Sequence, residues 1–206
     1  LEIKRSEFIG HIKRVSTVEE ARAYIESVRK TYHDARHVCS AFVIGADRDV
    51  QRSSDDGEPA GTAGVPMMQA LLARQTREDG TTDLSDVVAV VVRYFGGIKL
   101  GAGGLVRAYT DAVVQTLDSA QFDSRERLRV GEVPSSHAEA GRLENEMRAA
   151  GLNVLGTEYG AEGAVISVGV FDRAEELSRA EELVVSLSSG AASVTWGDTQ
   201  WVDLPV

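Results

Sequence analysis

Val87 to Val92 is an unbroken apolar run of strand length, which predicts a strand buried on both faces. Val38 to Ala46 is a second apolar stretch of this kind. Phe8, Gly10 and Ile12 alternate with Ile9, His11 and Lys13, again a strand pattern. Between these stretches the period changes. Thr17 precedes Glu19, Glu20, Ala21, Ala23, Tyr24, Ile25 and Val28, a helical pattern with acids in its first turn. A short amphipathic helix is expected from Pro66 to Arg74, with proline in its first turn. Val106, Tyr109, Val113 and Leu117 predict one apolar helix face. His33 to Arg36 makes a connection, Asp47 to Gly61 a long loop or loose hairpin, and Arg77 to Asp83 a solvated loop.

The second half reads more cleanly. Leu128 and Val130 alternate with Arg127 and Arg129 in a strand. Ser136-x-x-Glu139 is expected as a capping box for a helix whose stripe is Ala140, Leu143, Met147 and Ala150, with Gly151 placed to end it. Strands follow at Leu152 to Tyr159 and Ala164 to Phe171, joined across Gly160 to Gly163. Asp172-x-x-Glu175 is a second expected box, and Leu177, Ala180, Val184 and Leu187 form the next stripe. Gly190 ends that helix, and Ala192 to Trp196 make a last strand. Strand, helix, strand, strand, helix, strand is the order of the ferredoxin-like split unit. The fold class is therefore α/β (α+β) in two domains, residues 1–125 and 126–206, with the boundary near Ser124 to Arg127. For the first domain the residues themselves give only an α/β sheet covered by helices.

Composition narrows the classes of function. The 206 residues are 43% apolar, enough for packed cores. No stretch of 18 apolar residues occurs, which excludes a conventional transmembrane helix. Leu1 to Arg5 lacks the layout of a secretory signal, and Cys39 is the single cysteine, so a cytoplasmic location is expected. Thiolate-rich zinc sites are out, and neither metal nor cofactor is expected. The net charge of −10 is uneven: 16 Lys+Arg against 18 Asp+Glu through Arg125, but 6 against 14 beyond it. A broad duplex nucleic-acid surface is excluded on that balance, and any polyanion contact belongs to the first half.

Two segments carry candidate chemistry. After the buried strand comes Arg93-Tyr94-Phe95-Gly96-Gly97-Ile98-Lys99-Leu100-Gly101-Ala102-Gly103-Gly104-Leu105-Val106-Arg107. Glycines at a strand end allow sharp turns and close approach, and the N–H groups of a following helix form an anion site. Neither strict phosphate-loop spacing is present, so tight strand–helix packing is the plainer alternative. The other segment is Ser53-Ser54-Asp55-Asp56-Gly57-Glu58-Pro59-Ala60-Gly61-Thr62-Ala63-Gly64-Val65-Pro66. Its Asp55, Asp56 and Glu58 suit a hard cation or acid–base work, or a turn whose carboxylates hold the backbone, the reading favoured here. His37 and Cys39 lie two apart on a strand and are read as a partly buried structural pair rather than a base and nucleophile.

Together these segments closely resemble the signature of the YigZ/IMPACT family. Phe8-Ile9-Gly10-His11-Ile12 is similar to its opening strand and His37-x-Cys39 to its next landmark, with Arg36 a departure. The resemblance covers about Ser6 to Leu117 and continues into the second domain of bacterial members. It implies the fold of the second domain of the fifth small-subunit ribosomal protein for the first half. For the second it implies a domain similar to the last one of elongation factor G. It also implies a non-catalytic cytoplasmic regulator connected with translation or its stress control, through protein, ribosome or RNA contacts. An enzyme acting on a phosphorylated or nucleotide substrate at Gly96 to Gly104 is the alternative, and no membrane partner is expected. Arg93 has two readings. It pairs with Asp55, Asp56 or Glu58 in one polar network with His37 nearby, or it converges with Lys99 and Arg107 on a phosphate beside Gly96, Gly97, Gly101, Gly103 and Gly104.

Overall fold

The computed structural model describes residues 1–204, in two units, Leu1–Gln121 and Phe122–Val206, of mixed α/β structure with one sheet each. The first unit runs β1 (Glu2–Ile3), β2 (Ser6–Arg14), α1 (Val18–Thr31), β3 (His37–Ile44), β4 (Val50–Ser54), α2 (Gly64–Leu72), β5 (Val87–Tyr94), α3 (Ala102–Asp118). Its sheet has the order β1-β2-β5-β3-β4, with every neighbouring pair antiparallel. The apolar run thus becomes the middle strand, buried on both sides. Ala89 and Val91 face a cluster under α2 and α3 with Phe8, Cys39, Met67 and Tyr109. Val88, Val90 and Val92 face the other way, toward α1 with Val38, Phe42 and Val28. α1 is closed as its pattern predicts: Thr17 Oγ1 accepts from Glu20 N at 3.1 Å, and Glu20 Oε2 accepts from Ser16 N at 2.7 Å.

Of the two readings of the polar run after Ala46 the hairpin is the one formed, with β4 paired to β3 from Ser40–Ser54 to Ile44–Val50. Two other local expectations for this unit change. α2 starts at Gly64 rather than Pro66, because the Asp55 carboxylate, far upstream, accepts from the N–H groups of Ala63 at 3.0 Å and Gly64 at 2.8 Å. On α3 the buried face is Leu105, Ala108, Tyr109, Ala112, Val113 and Leu117, which turns Val106 to solvent.

The second unit runs β6 (Ser124–Ser135), α4 (Ala140–Ala149), β7 (Asn153–Tyr159), β8 (Ala164–Phe171), α5 (Ala174–Leu187), β9 (Thr195–Leu204). The antiparallel sheet has the order β7-β8-β6-β9. Both helices cover one face, where Leu143, Met147 and Val184 meet Val133, Val154, Ile166 and Val168. Neither expected capping box closes its helix. Ser136 Oγ accepts from Glu139 N at 3.3 Å in a turn before α4, whose N-cap is Glu139 itself. Asp172 is held instead by the Arg129 guanidinium through bonds of 3.0 and 2.9 Å, and α5 opens from Arg173 without a side-chain cap. The last strand runs on past Trp196 to Leu204, because a register shift opposite Arg129–Gly131 absorbs the Gly197-Asp198 break. Among the described residues no helix is long and apolar enough to cross a membrane.

Candidate functional site

Arg93, near the end of β5, pairs in register with Phe8 on β2 and His37 on β3, so its side chain enters the α2/α3 face. It is only 4% exposed. A guanidinium there requires a partner, and Nη1 donates to Glu58 Oε1 at 2.6 Å. Nη2 donates to Ser6 Oγ at 3.3 Å, and the Phe8 and Phe95 rings lie 5.4 and 5.6 Å from the guanidinium carbon. Glu58 Oε1 also accepts from the Tyr109 hydroxyl at 2.8 Å, and Tyr109 stands edge-on to Phe8 at 5.3 Å. The Cys39 thiol lies within donating distance of that hydroxyl, 3.3 Å, and of the Asp55 carbonyl, 3.0 Å. Burial, and then the neighbouring acidic groups, push the Cys39 thiol up to about 12 despite the Tyr109 bond. Burial and then Cys39 raise the Tyr109 hydroxyl well above its ordinary range. Both stay protonated at neutral pH, which suits hydrogen bonding and not attack.

The Ser-Ser-Asp-Asp-Gly-Glu segment wraps this network, and each carboxylate has a separate task. Asp55 accepts from three N–H groups, those of Gly61, Ala63 and Gly64, at the start of α2. Burial opposes its ionisation, but those three bonds outweigh it and hold its carboxyl below the usual range. Asp56 accepts from Val38 N at 2.7 Å and Arg29 Nη1 at 3.0 Å, while its carbonyl meets His37 Nδ1 at 2.9 Å. Of the residues expected around Arg93, Glu58 meets it directly, whereas His37 is bonded to the Asp56 carbonyl, and Asp56 to Val38 N and Arg29. Among the described residues no group of three or more His, Cys, Asp or Glu side chains is placed to hold a metal ion.

The glycine loop starts where Gly96 N donates to Ser6 Oγ at 3.3 Å, the same oxygen that Arg93 uses. A Cβ on Gly96 would stand 2.0 Å from the carbonyl carbon of Arg5, so only glycine lets the β1–β2 turn rest on this strand end. Gly101 caps α3 with a positive φ of 76° and, having no side chain, leaves the helix's first N–H groups without a side-chain cap. Gly97 shares the positive φ, Gly104 lies against Leu100, and Gly103 has open space around it. Lys99 and Arg107 are exposed, and neither side chain has a hydrogen bond or ion pair among the described residues. Thus the site separates into two layers. Arg93 is turned inward onto Glu58 and is not gathered with Lys99 and Arg107, which stay outside on the loop and the first turns of α3. Sequence reasoning missed Ser6 as the shared oxygen and Tyr109 as a polar partner. Neither has a local signal, since Ser6 lies 87 residues from Arg93 and Tyr109 lies 51 from Glu58.

The chain is similar to known proteins. The Impact N-terminal domain family matches residues 4–117. The chain is 36% identical over 204 residues to the IMPACT family member YvyE of Bacillus subtilis (strain 168), covering 99% of this chain and 89% of that protein. It is 50% identical over 118 residues to the IMPACT family member YigZ of Escherichia coli (strain K12), covering 56% of this chain and 54% of that protein. A crystal structure of a hypothetical protein, 34% identical, superposes with a TM-score of 0.60 over 94% of this chain and 90% of its own.

Proposed function

This chain belongs to the IMPACT family, and we propose that it is a non-catalytic cytoplasmic binding protein linked to translation or to its regulation under stress. Its anionic partner docks through the segment from Arg93 to Arg107. The observation that carries this reading is the division of charge at the end of β5. Arg93, Asp55, Asp56 and Glu58 are engaged with one another's surroundings or with the backbone, while Lys99 and Arg107 present unpaired charge to solvent. Groups bonded inside fix the loop's shape, and groups left outside take a partner's charge. The protonated Cys39 and Tyr109 leave the network without a nucleophile.

The folds support the same reading by analogy. We read the second unit as ferredoxin-like and similar to the last domain of elongation factor G, from its β7-β8-β6-β9 order with both helices on one face. We read the first as similar to the second domain of the fifth small-subunit ribosomal protein. The uncapped start of α3 beside Lys99 favours one other reading, an enzyme for a phosphorylated or nucleotide substrate held at Gly96–Gly104.

The test is capture from native lysate by wild type and Lys99→Ala, with and without nuclease, followed by titration calorimetry with phosphate, nucleotides and short RNA. Lys99→Ala is expected to keep the fold and to weaken binding of the captured partner by ~1–3 kcal/mol. Equal capture by both proteins would remove the loop from the reading. Turnover of a nucleotide or phosphate ester would install the enzyme instead.

A further inference from the structure

Exposed apolar side chains scattered singly over a protein need no explanation, but a cluster ringed by charge does. Three of the larger ones in this chain fall on one loop and helix start: Phe95, Ile98 and Val106, exposed at 44%, 43% and 38%. Val106 is turned outward because the inner face of α3 is filled by Leu105, Ala108 and Tyr109. Val114, two turns further along α3, is exposed too. Lys99 and Arg107 lie within this stretch.

A second pair of cations is brought to it by the fold and not by the sequence. Lys4 and Arg5 form the two-residue turn between β1 and β2, closed by the Ile3–Ser6 pair. Both adopt positive φ, 49° and 64°, where Asn-Gly is the usual choice. This turn rests directly on Gly96, whose missing side chain makes room for the Arg5 backbone. Lys4 and Arg5 are exposed, and neither has a hydrogen bond or ion pair among the described residues. The nearby carboxylates of Glu2 and Glu7 are cross-strand neighbours on the opposite face of the sheet from Phe8, toward α1. Two cations held in a left-handed turn, with their acids turned away, are a feature that stability alone does not ask for.

We propose that Phe95, Ile98 and Val106, ringed by Lys4, Arg5, Lys99 and Arg107, are the docking surface for an acidic amphipathic segment of another protein. Its carboxylates meet the four cations and its apolar side chains cover the three apolar ones. The inference rests on the reading above that this loop takes an anionic partner, and names that partner's class. Charge complementarity selects it, in a chain whose overall charge of −10 repels polyanions elsewhere. The apolar members decide between protein and nucleic acid. Single strands are held on stacked aromatic platforms, and here only Phe95 has a ring, while Ile98, Val106 and Val114 are aliphatic. Aliphatic residues with a charged rim are what an amphipathic helix lays itself against.

The experiment is selection from a displayed library of random peptides against the intact chain, with inorganic phosphate and oligouridylate titrated in parallel. Selected peptides are expected to interleave Asp and Glu with Leu, Phe or Trp, and to lose affinity as salt rises. Ile98→Ser, and separately Lys4→Ser with Arg5→Ser, should each weaken them at least tenfold with no change in thermal midpoint. Ile98 is preferred to Phe95, whose ring covers Arg93. Peptides without acidic enrichment, or bound equally by these variants, overturn the inference. If oligouridylate binds in a Lys99-dependent way and acidic peptides do not, the inference fails while the reading of an anionic partner stands. If phosphate, oligouridylate and peptides all fail to bind, both fall.

Discussion

The first unit buries Ser6, Ser40, Glu58, Thr62, Asp86 and Arg93, whereas in the second, among the described residues, Ser188 is the one buried polar side chain. The second unit's ion pairs lie at its surface instead: Arg125–Asp203, Arg129–Asp172, Arg142 with Glu139 and Glu146, and Arg148–Glu144. Surface pairs contribute little, typically ~0–1 kcal/mol, and tolerate change. A buried pair is different in kind, since removing one member strands the other. The contrast separates a unit held by apolar packing from one in which buried polar groups must meet correctly, at the start of β5 through Asp86 and at its end through Ser6, Glu58 and Arg93. That end carries the glycine loop.

The strongest way to break the comparison is to separate the units. A fragment from Phe122 to Val206 is expected to fold alone and to keep the emission of the intact chain, because both tryptophans, Trp196 and Trp201, belong to it. An unfolded amide spectrum would end the distinction between the units. Glu58→Ala comes next: it leaves the Arg93 guanidinium buried with no counterion and takes a partner from Tyr109. It should cost the first unit ~3–5 kcal/mol in urea unfolding followed by far-ultraviolet dichroism, while the tryptophan transition stays in place. A shift of both transitions together would show that the units melt as one. Gly96→Ala drives a Cβ to 2.0 and 2.1 Å from the Arg5 carbonyl carbon and oxygen. The expected loss is ~1–3 kcal/mol, the usual scale of overpacking. Hydrogen exchange should quicken at Lys4 to Ser6, and unchanged protection there would disprove the contact.

The smallest effect is the most specific. Asp55→Ala removes the acceptor of three N–H groups at the start of α2, worth ~0.5–2 kcal/mol. Its sign with pH follows from its lowered carboxyl. The stabilisation is fully present above the ordinary aspartate value of about 4 and is lost as pH falls through the lowered folded-state value. Denaturation curves of wild type and mutant should therefore converge on acidification. A gap that stays constant down to acid pH would assign the stabilisation to packing.

Much of the fold could be read from local pattern, and the reason is the range of the forces involved. The apolar run of β5, the Thr17 cap of α1 and the stripe Leu143, Met147 on α4 depend on neighbours within a turn or two. The capping boxes at Ser136 and Asp172 misled because an arginine distant in sequence, Arg129, takes the Asp172 carboxylate, and the chain enters α4 through an extra turn. At the candidate site the sequence marks out the Arg93 and Asp55 segments as special. It does not say which carboxylate meets Arg93, because Glu58 lies 35 residues away and Asp55 and Asp56 are equally charged. The Lys4–Arg5 turn was invisible for the same reason. Nothing near those residues announces that they come to rest on Gly96.

The junction of Ser6, Glu58, Arg93 and Tyr109 also sets an order of events during synthesis. These side chains come from β2, the segment before α2, β5 and α3, so nearly the whole first unit must be joined before all of them are satisfied. Contacts so distant along the chain form late, after the loops between them have closed. A nascent chain that has emerged only through β5 holds Arg93 without the Tyr109 that helps orient its counterion. The last bond of the set, Tyr109 to Glu58, waits for α3, so a half-made unit lacks both that bond and the part of the surface that α3 carries.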